Sequence, residues 1–135
     1  MSRSYGDLVH SLRDQIPEVE ISQVQAIVRS PSADPEAPIV IDVREQHEWD
    51  AGHIPNTVHI PRGSLEERIE SVVPDRSRPI VVSCAVGARS LLAARTLQEM
   101  GYANVATFPG SFQEWSRAGL PIEAAAALSD AQRRR

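Results

Sequence analysis

The sequence predicts a three-layer α/β fold, with a central, mainly parallel five-stranded sheet and helices on both faces. Residues 38–43 and 79–83 are apolar runs without polar alternation, the pattern of strands buried on both sides. Stretches with helical periodicity separate these and other short apolar runs, which is the order of a parallel sheet joined by crossover helices. The chain has 135 residues, 41% of them hydrophobic, enough for one core and too few for two.

Each element follows from local signals. Residues 4–15 form a helix with Leu8, Val9 and Leu12 on one stripe, ended by Pro17, so residues 1–17 are expected as an N-terminal helical extension to a domain spanning 18–123. Residues 19–21 make a short strand, and Ser22 with Gln25 reads as a capping box opening a helix to Arg29. The Pro-, Ser- and acid-rich residues 30–38 are a loop. The central strand over 38–43 is followed by a short helix at 45–50, a strand at 57–60, and a helix at 64–72 that turns Leu65, Ile69 and Val72 inward before Pro74. The second buried strand, 79–83, leads to a helix over 89–100 capped by Gly101. A last strand covers 104–108 and a last helix 112–118. Residues 124–135, with four alanines and a terminal triple arginine, are expected as a flexible tail.

Composition narrows the chemistry. The net charge of −4 argues against nucleic acid as a partner, because sequence-independent binding needs a basic face to displace counterions. No stretch approaches the roughly 18 apolar residues that span a bilayer, and the start lacks the apolar middle of a secretory signal, so a cytoplasmic location without membrane attachment is expected. None of the 14 basic residues is lysine, which removes Schiff-base chemistry and a P-loop lysine. His10, His47, His53 and His59 have no spacing suited to a metal, and a single cysteine builds neither a disulfide nor a multi-thiolate zinc site. No metal and no cofactor is called for.

That cysteine, Cys84, ends the buried strand at 79–83, five residues before a helix. The C-terminal edge of such a sheet is where open α/β folds place ligands. A loop there points backbone N–H groups inward, and the helix macrodipole adds positive potential, which favours anions and lowers the pKa of a thiol. Gly87 is able to take positive φ, and Arg89 supplies a planar cation. On position alone, a buried structural cysteine and a reactive thiol stand level. The small residues Ala85, Val86, Gly87 and Ala88, followed by Arg89 and Ser90, suit an anion cradle better than they suit packing. A cation at a helix N-terminus opposes the dipole, so Arg89 is held there by something else.

Cys84-Ala85-Val86-Gly87-Ala88-Arg89-Ser90 resembles the active-site loop of rhodanese-family sulfurtransferases. Ile41-Asp42-Val43-Arg44, Glu48-Trp49 and Gly52-His53-Ile54-Pro55 resemble that family's first signature, and Phe108-Pro109-Gly110-Ser111, Trp115, Gly119 and Pro121 its closing one. Residues 48–63 are similar to rhodanese domains fused to adenylating enzymes that sulfurate small carrier proteins. Two departures stand out: Asn56-Thr57 replaces a common Gly-Ala, mild because Asn tolerates left-handed backbone, and Pro109 replaces a common glycine, which bears on the turn before the last helix. The resemblance implies a Cys84 persulfide, formed from a small anionic sulfur donor such as thiosulfate and relieved by a thiol, cyanide or a sulfur-carrier protein. Residues Ala85 to Ser90 would cradle it, Arg89 either binding the donor or bracing the loop, and Asp42 and Arg44 would tie loops together. His53 is expected to satisfy a loop hydrogen bond, and Trp49 and Trp115 to be core aromatics.

Three other readings remain. A sulfur relay would take sulfur from a protein persulfide. A binding module of the same fold would not turn over. A cysteine-dependent phosphatase or arsenate reductase would need a wider bowl for a tetrahedral oxyanion than the four residues between Cys84 and Arg89 give.

Overall fold

The computed structural model describes residues 2–124, so all of the expected tail at 124–135 except its first residue lies outside the described residues. Four strands, β1 (Ile39–Asp42), β2 (Val58–His59), β3 (Ile80–Ser83) and β4 (Val105–Thr107), form one parallel sheet in the order β2-β1-β3-β4. The helices are α1 (Tyr5–Arg13), α2 (Ile21–Arg29), α3 (Gln46–Ala51), α4 (Leu65–Val72), α5 (Arg89–Glu99) and α6 (Ser111–Arg117), with a 3-10 turn at Arg62–Ser64.

The non-alternating strands are explained by burial on both sides. Ile39, Ile41, Ile80, Val82 and Val105 face one core with Val9, Leu12, Leu65, Ile69, Leu91 and Leu97 of α1, α4 and α5. Val40 and Val81 face the other, with Val24 and Val28 of α2 and Trp115 of α6. The layers are therefore helix, sheet, helix. Among the described residues, no helix is long and apolar enough to cross a membrane.

Among the described residues the sheet has four strands, not five. Near the expected strand at 19–21, pairing stops after one step: Thr107 N–H bonds the Pro17 carbonyl, Val19 N–H bonds the Thr107 carbonyl, and Glu18 makes an isolated parallel bridge to Thr107. The chain then turns at once into α2, because Glu20 is the N-cap and Gln23 closes its capping box at 2.8 Å. The box thus lies two residues earlier than Ser22 and Gln25. Asn56 takes the left-handed backbone its position suggested, with φ 60°. Helix α5 ends in a Schellman motif: Gly101 at φ 95°, its N–H on the Gln98 carbonyl and that of Tyr102 on the Leu97 carbonyl.

Helix α1 packs against α5, with Val9, Leu12 and the following Ile16 buried in the same core as the sheet. The Ser4–Asp7 capping box starts it. Leu12→Ala is expected to lower unfolding stability by about 3 kcal/mol, the usual range for a buried leucine, read as a lower urea midpoint at unchanged slope. A midpoint like the wild type's would mean that α1 is not part of the cooperative core.

Candidate functional site

From β1 the chain moves outward to its neighbour β2 on one side, and after crossing over to β3 it moves outward to β4 on the other. The crevice beyond the C-terminal ends of β1 and β3 is therefore the topological switch point, where such sheets take ligands. Asp42 lies opposite Ser83 there, and Cys84 follows, 1% exposed.

Three groups converge on the sulfur. Gly87 N–H donates to Sγ at 3.1 Å, the Ser90 hydroxyl lies 3.5 Å away, and the Ser111 hydroxyl 3.8 Å. Gly87 reaches this position at φ 91°, and a Cβ on it would fall on the Pro109 carbonyl oxygen. The loop is pinned from α6: Ser111 Oγ accepts Cys84 N–H at 3.1 Å, while Phe112 and Gln113 N–H donate to the carbonyls of Cys84 and Ala85 at 3.0 and 3.1 Å. Those two amides belong to the first helical turn and have no partner within the helix. Ala85 and Ala88 are half-buried, and Val86 stands 59% exposed at the rim.

Burial pushes the Cys84 thiol up, but hydrogen bonds from the Ser90 side chain and amide, the Gly87 amide and the Ser111 hydroxyl outweigh it. The net result is a pKa below that of an ordinary cysteine, so the thiolate is favoured.

Arg89 is held by Glu48. Its two terminal nitrogens donate to the two carboxylate oxygens at 2.7 and 2.9 Å, a planar bidentate pair. This pairing offsets the cation's poor position at the start of α5 and corresponds to bracing the loop. The guanidinium holds the Glu48 carboxyl down to about 2 against the opposing effect of burial, with the Glu45 amide adding to it. Glu48 in turn raises the already high pKa of Arg89, to which the negative charges of Cys84 and Glu45 contribute.

Asp42 and Arg44 stand behind the cradle, not in it. Arg44 Nη2 donates to Asp42 Oδ2 at 2.9 Å and to the Gly52 carbonyl at 2.7 Å, with both side chains 5% exposed or less. Its guanidinium also lies over the Phe112 ring at 4.3 Å. The pair thus joins β1, the end of α3 and the start of α6. His53 Nδ1 lies 2.9 Å from the Trp49 carbonyl, a loop hydrogen bond. Trp115 is buried, but Trp49 is no core aromatic: it is half-buried and stacks with His53 at 3.5 Å and with His59 at 4.8 Å. Its helix is only one and a half turns long and has no buried residue, so the imidazoles take the place of a hydrophobic neighbour.

The rhodanese-like domain model matches residues 23–118, which includes every group around the sulfur. The chain belongs to the rhodanese-like family. Thiosulfate sulfurtransferase GlpE of Vibrio cholerae is 29% identical over 111 residues, 82% of this chain and 98% of that protein. YrkF of Bacillus subtilis is 33% identical over 114 residues; the match takes in 84% of this chain and only 58% of YrkF. A solved structure from Rhodopseudomonas palustris CGA009, described as a protein of unknown function and possible tyrosine phosphatase, aligns with TM-score 0.79 at 30% identity, covering 91% of this chain and 96% of that one.

Of the residues singled out in sequence, the structure brings Cys84, Gly87 and Ser90 together at the sulfur and leaves Ala85, Val86 and Ala88 as its rim. Sequence reasoning did not assign Ser111 or Glu48 a part. Both stand in segments that resemble the family's signatures, but Ser111 sits 27 positions from Cys84, and the pairing of Glu48 was foreshadowed by Arg89 occupying a position its charge disfavours. Among the described residues, no three His, Cys, Asp or Glu side chains are grouped to hold a metal ion.

Two outcomes follow for this rhodanese-like site. Ser90→Ala removes one of the bonds that favour the thiolate, so the thiol pKa should rise and iodoacetamide alkylation at pH 7 should slow several-fold; an unchanged pH profile would deny Ser90 that role. The Glu48 carboxyl has a lower pKa folded than its ordinary 4.5, so its contribution to stability is present above 4.5 and disappears as pH falls through about 2. Glu48→Gln should flatten that part of the stability–pH curve, measured by thermal melting between those limits.

Proposed function

We propose that the chain is a sulfurtransferase that moves a sulfane sulfur from a donor such as thiosulfate to a thiol or cyanide acceptor through a Cys84 persulfide. The observation that carries this is the convergence of the Gly87 amide and the Ser90 and Ser111 hydroxyls on one buried sulfur. In the first half-reaction the Cys84 thiolate attacks the outer sulfur of thiosulfate; an S–S bond forms to Sγ, the donor's S–S bond breaks, and sulfite leaves with the electron pair. In the second, an acceptor thiolate or cyanide attacks the outer sulfur and Cys84 leaves as thiolate. Covalent catalysis divides one transfer into two, and the donors around Sγ stabilise the anion at both ends of the cycle. The GlpE relative, named for thiosulfate sulfur transfer, supports the same reading. A free thiol that must remain reduced suits a reducing compartment such as the cytoplasm.

A phosphatase reading draws on the description of the Rhodopseudomonas protein. The cradle argues against it: four residues separate Cys84 from Arg89, and Arg89 is engaged with Glu48 on the occasion when a phosphatase would need it for the substrate.

Incubation with millimolar thiosulfate is expected to add about 32 Da, one sulfur, to the intact protein, and Cys84→Ala to abolish the gain. No adduct from thiosulfate or from any persulfide donor would sink the proposal. Turnover of an aryl phosphate exceeding sulfur transfer would favour the phosphatase.

A further inference from the structure

Resting on the sulfurtransferase reading, we infer that Glu48 sets the donor class: by holding Arg89 in a bidentate pair, it leaves the mouth, among the described residues, without a free cation. The site is thereby suited to sulfur carried on a thiol, as a persulfide, in preference to the thiosulfate dianion.

The charges around the mouth can be followed one by one. Arg89 is the cation nearest the loop, and both of its terminal nitrogens are on the Glu48 carboxylate. Arg44, the next guanidinium, is buried against Asp42. Glu45 is exposed and acts on Arg89 as a further negative charge, as does the Cys84 sulfur itself. Among the described residues, Arg89 is matched by Glu48 and Arg44 by Asp42, while Glu45 is exposed beside them. A dianion approaching this mouth finds the inward amides and the dipole of α5 but no unpaired guanidinium of the described residues, with Glu45 as like charge, and a chain of net charge −4 adds no attraction at longer range.

The rim is chemically consistent with that. Ala85 and Ala88 are small, and Val86 is one of only three large hydrophobic residues exposed among those described. An exposed valine beside a buried nucleophile offers contact to the carbon stem of a thiol and none to a sulfonate group. The transfer balances: the Cys84 thiolate attacks the terminal sulfur of R–S–SH, the new Sγ–S bond forms as the donor's S–S bond breaks, the electron pair leaves on R–S⁻, and the proton stays on the transferred sulfur.

The test compares two donors, thiosulfate and 2-hydroxyethyl persulfide, by the second-order rate of sulfur addition to Cys84 followed by intact mass. In the wild-type protein the persulfide is expected to react faster, and thiosulfate addition to speed up with added salt, because screening relieves repulsion. In Glu48→Gln the amide still accepts a bond from Arg89 but the negative charge is gone, so the ratio of the thiosulfate to the persulfide rate should rise about tenfold, the scale of one surface charge acting at close range. Val86→Arg places a free cation on an exposed position and should raise the same ratio whether or not the Glu48 variant folds. Faster reaction with thiosulfate in the wild type, a thiosulfate rate that falls with salt, or a ratio unmoved in both variants would overturn the inference while leaving sulfur transfer standing. Failure of both donors to modify Cys84 would overturn both.

Discussion

The position of the sulfur depends on how the chain turns between β3 and α5. Strand β3 delivers Cys84 to the end of the sheet, and α5 begins at Arg89, so the loop must reverse within 85–88. It does so through Gly87, whose positive φ accompanies an N–H bond to Sγ and whose lack of a Cβ leaves room for the Pro109 carbonyl. Any side chain there would meet strain twice, once from the backbone conformation and once from that oxygen. Two loops are thereby interlocked, 84–89 after β3 and 108–111 after β4. Ser111, itself at φ 54°, is held in a conformation unusual for a residue with a Cβ by bonds to the Cys84 amide and the Phe108 carbonyl. The strain is borne at the place where it brings a hydroxyl to the sulfur.

Charges at this end of the sheet occur in matched pairs, and one pair positions the other. Arg44 is buried with Asp42, a costly arrangement unless its remaining N–H groups find acceptors. They do, on the Gly52 carbonyl and, at 3.5 Å, the Glu48 carbonyl, both belonging to α3 or its C-cap. Arg44 therefore ties the short α3 to β1. With α3 tied, Glu48 faces Arg89 across 41 positions of sequence, and the start of α5 is braced. Asp42 and Arg44 touch no group at the sulfur, yet the orientation of Arg89 runs back to them through α3.

Much of this was legible in the sequence, for a physical reason. Strands β1 and β3 are buried on both faces, so their apolar runs are continuous and unambiguous. The cap at Gly101 and the left-handed Asn56 likewise follow from what those residues permit. The loss of the expected fifth strand was not legible, because Val19 and Ile21 have strand-like side chains but Glu20 between them serves as the N-cap of α2. Acid and hydroxyl side chains both cap helices, so Ser22 offered an equally good start in the sequence and a wrong one in space. The cradle divides in the same way. Cys84, Gly87 and Ser90 share one turn and could be seen together, whereas Ser111 and Glu48 arrive from other elements, and their roles exist only once the β2-β1-β3-β4 order brings those elements to the same edge.

Burial of the sulfur acts in two opposed directions. It shields the thiol, and any persulfide on it, from water and bulk oxidants, and it also disfavours the charged form on which nucleophilic attack depends. The hydrogen bonds outweigh burial and hold the thiol pKa below that of an ordinary cysteine. They come from uncharged donors, amide and hydroxyl, and not from the nearby guanidinium. An uncharged cradle stabilises an anion without attracting free anions to compete for it, whereas a free arginine would do both. Pairing Arg89 with Glu48 keeps the cation's rigidity for the loop while withdrawing its charge from the mouth. The nucleophile is therefore favoured locally, by uncharged donors within about 4 Å of the sulfur, while the paired guanidinium braces the loop from outside the cradle.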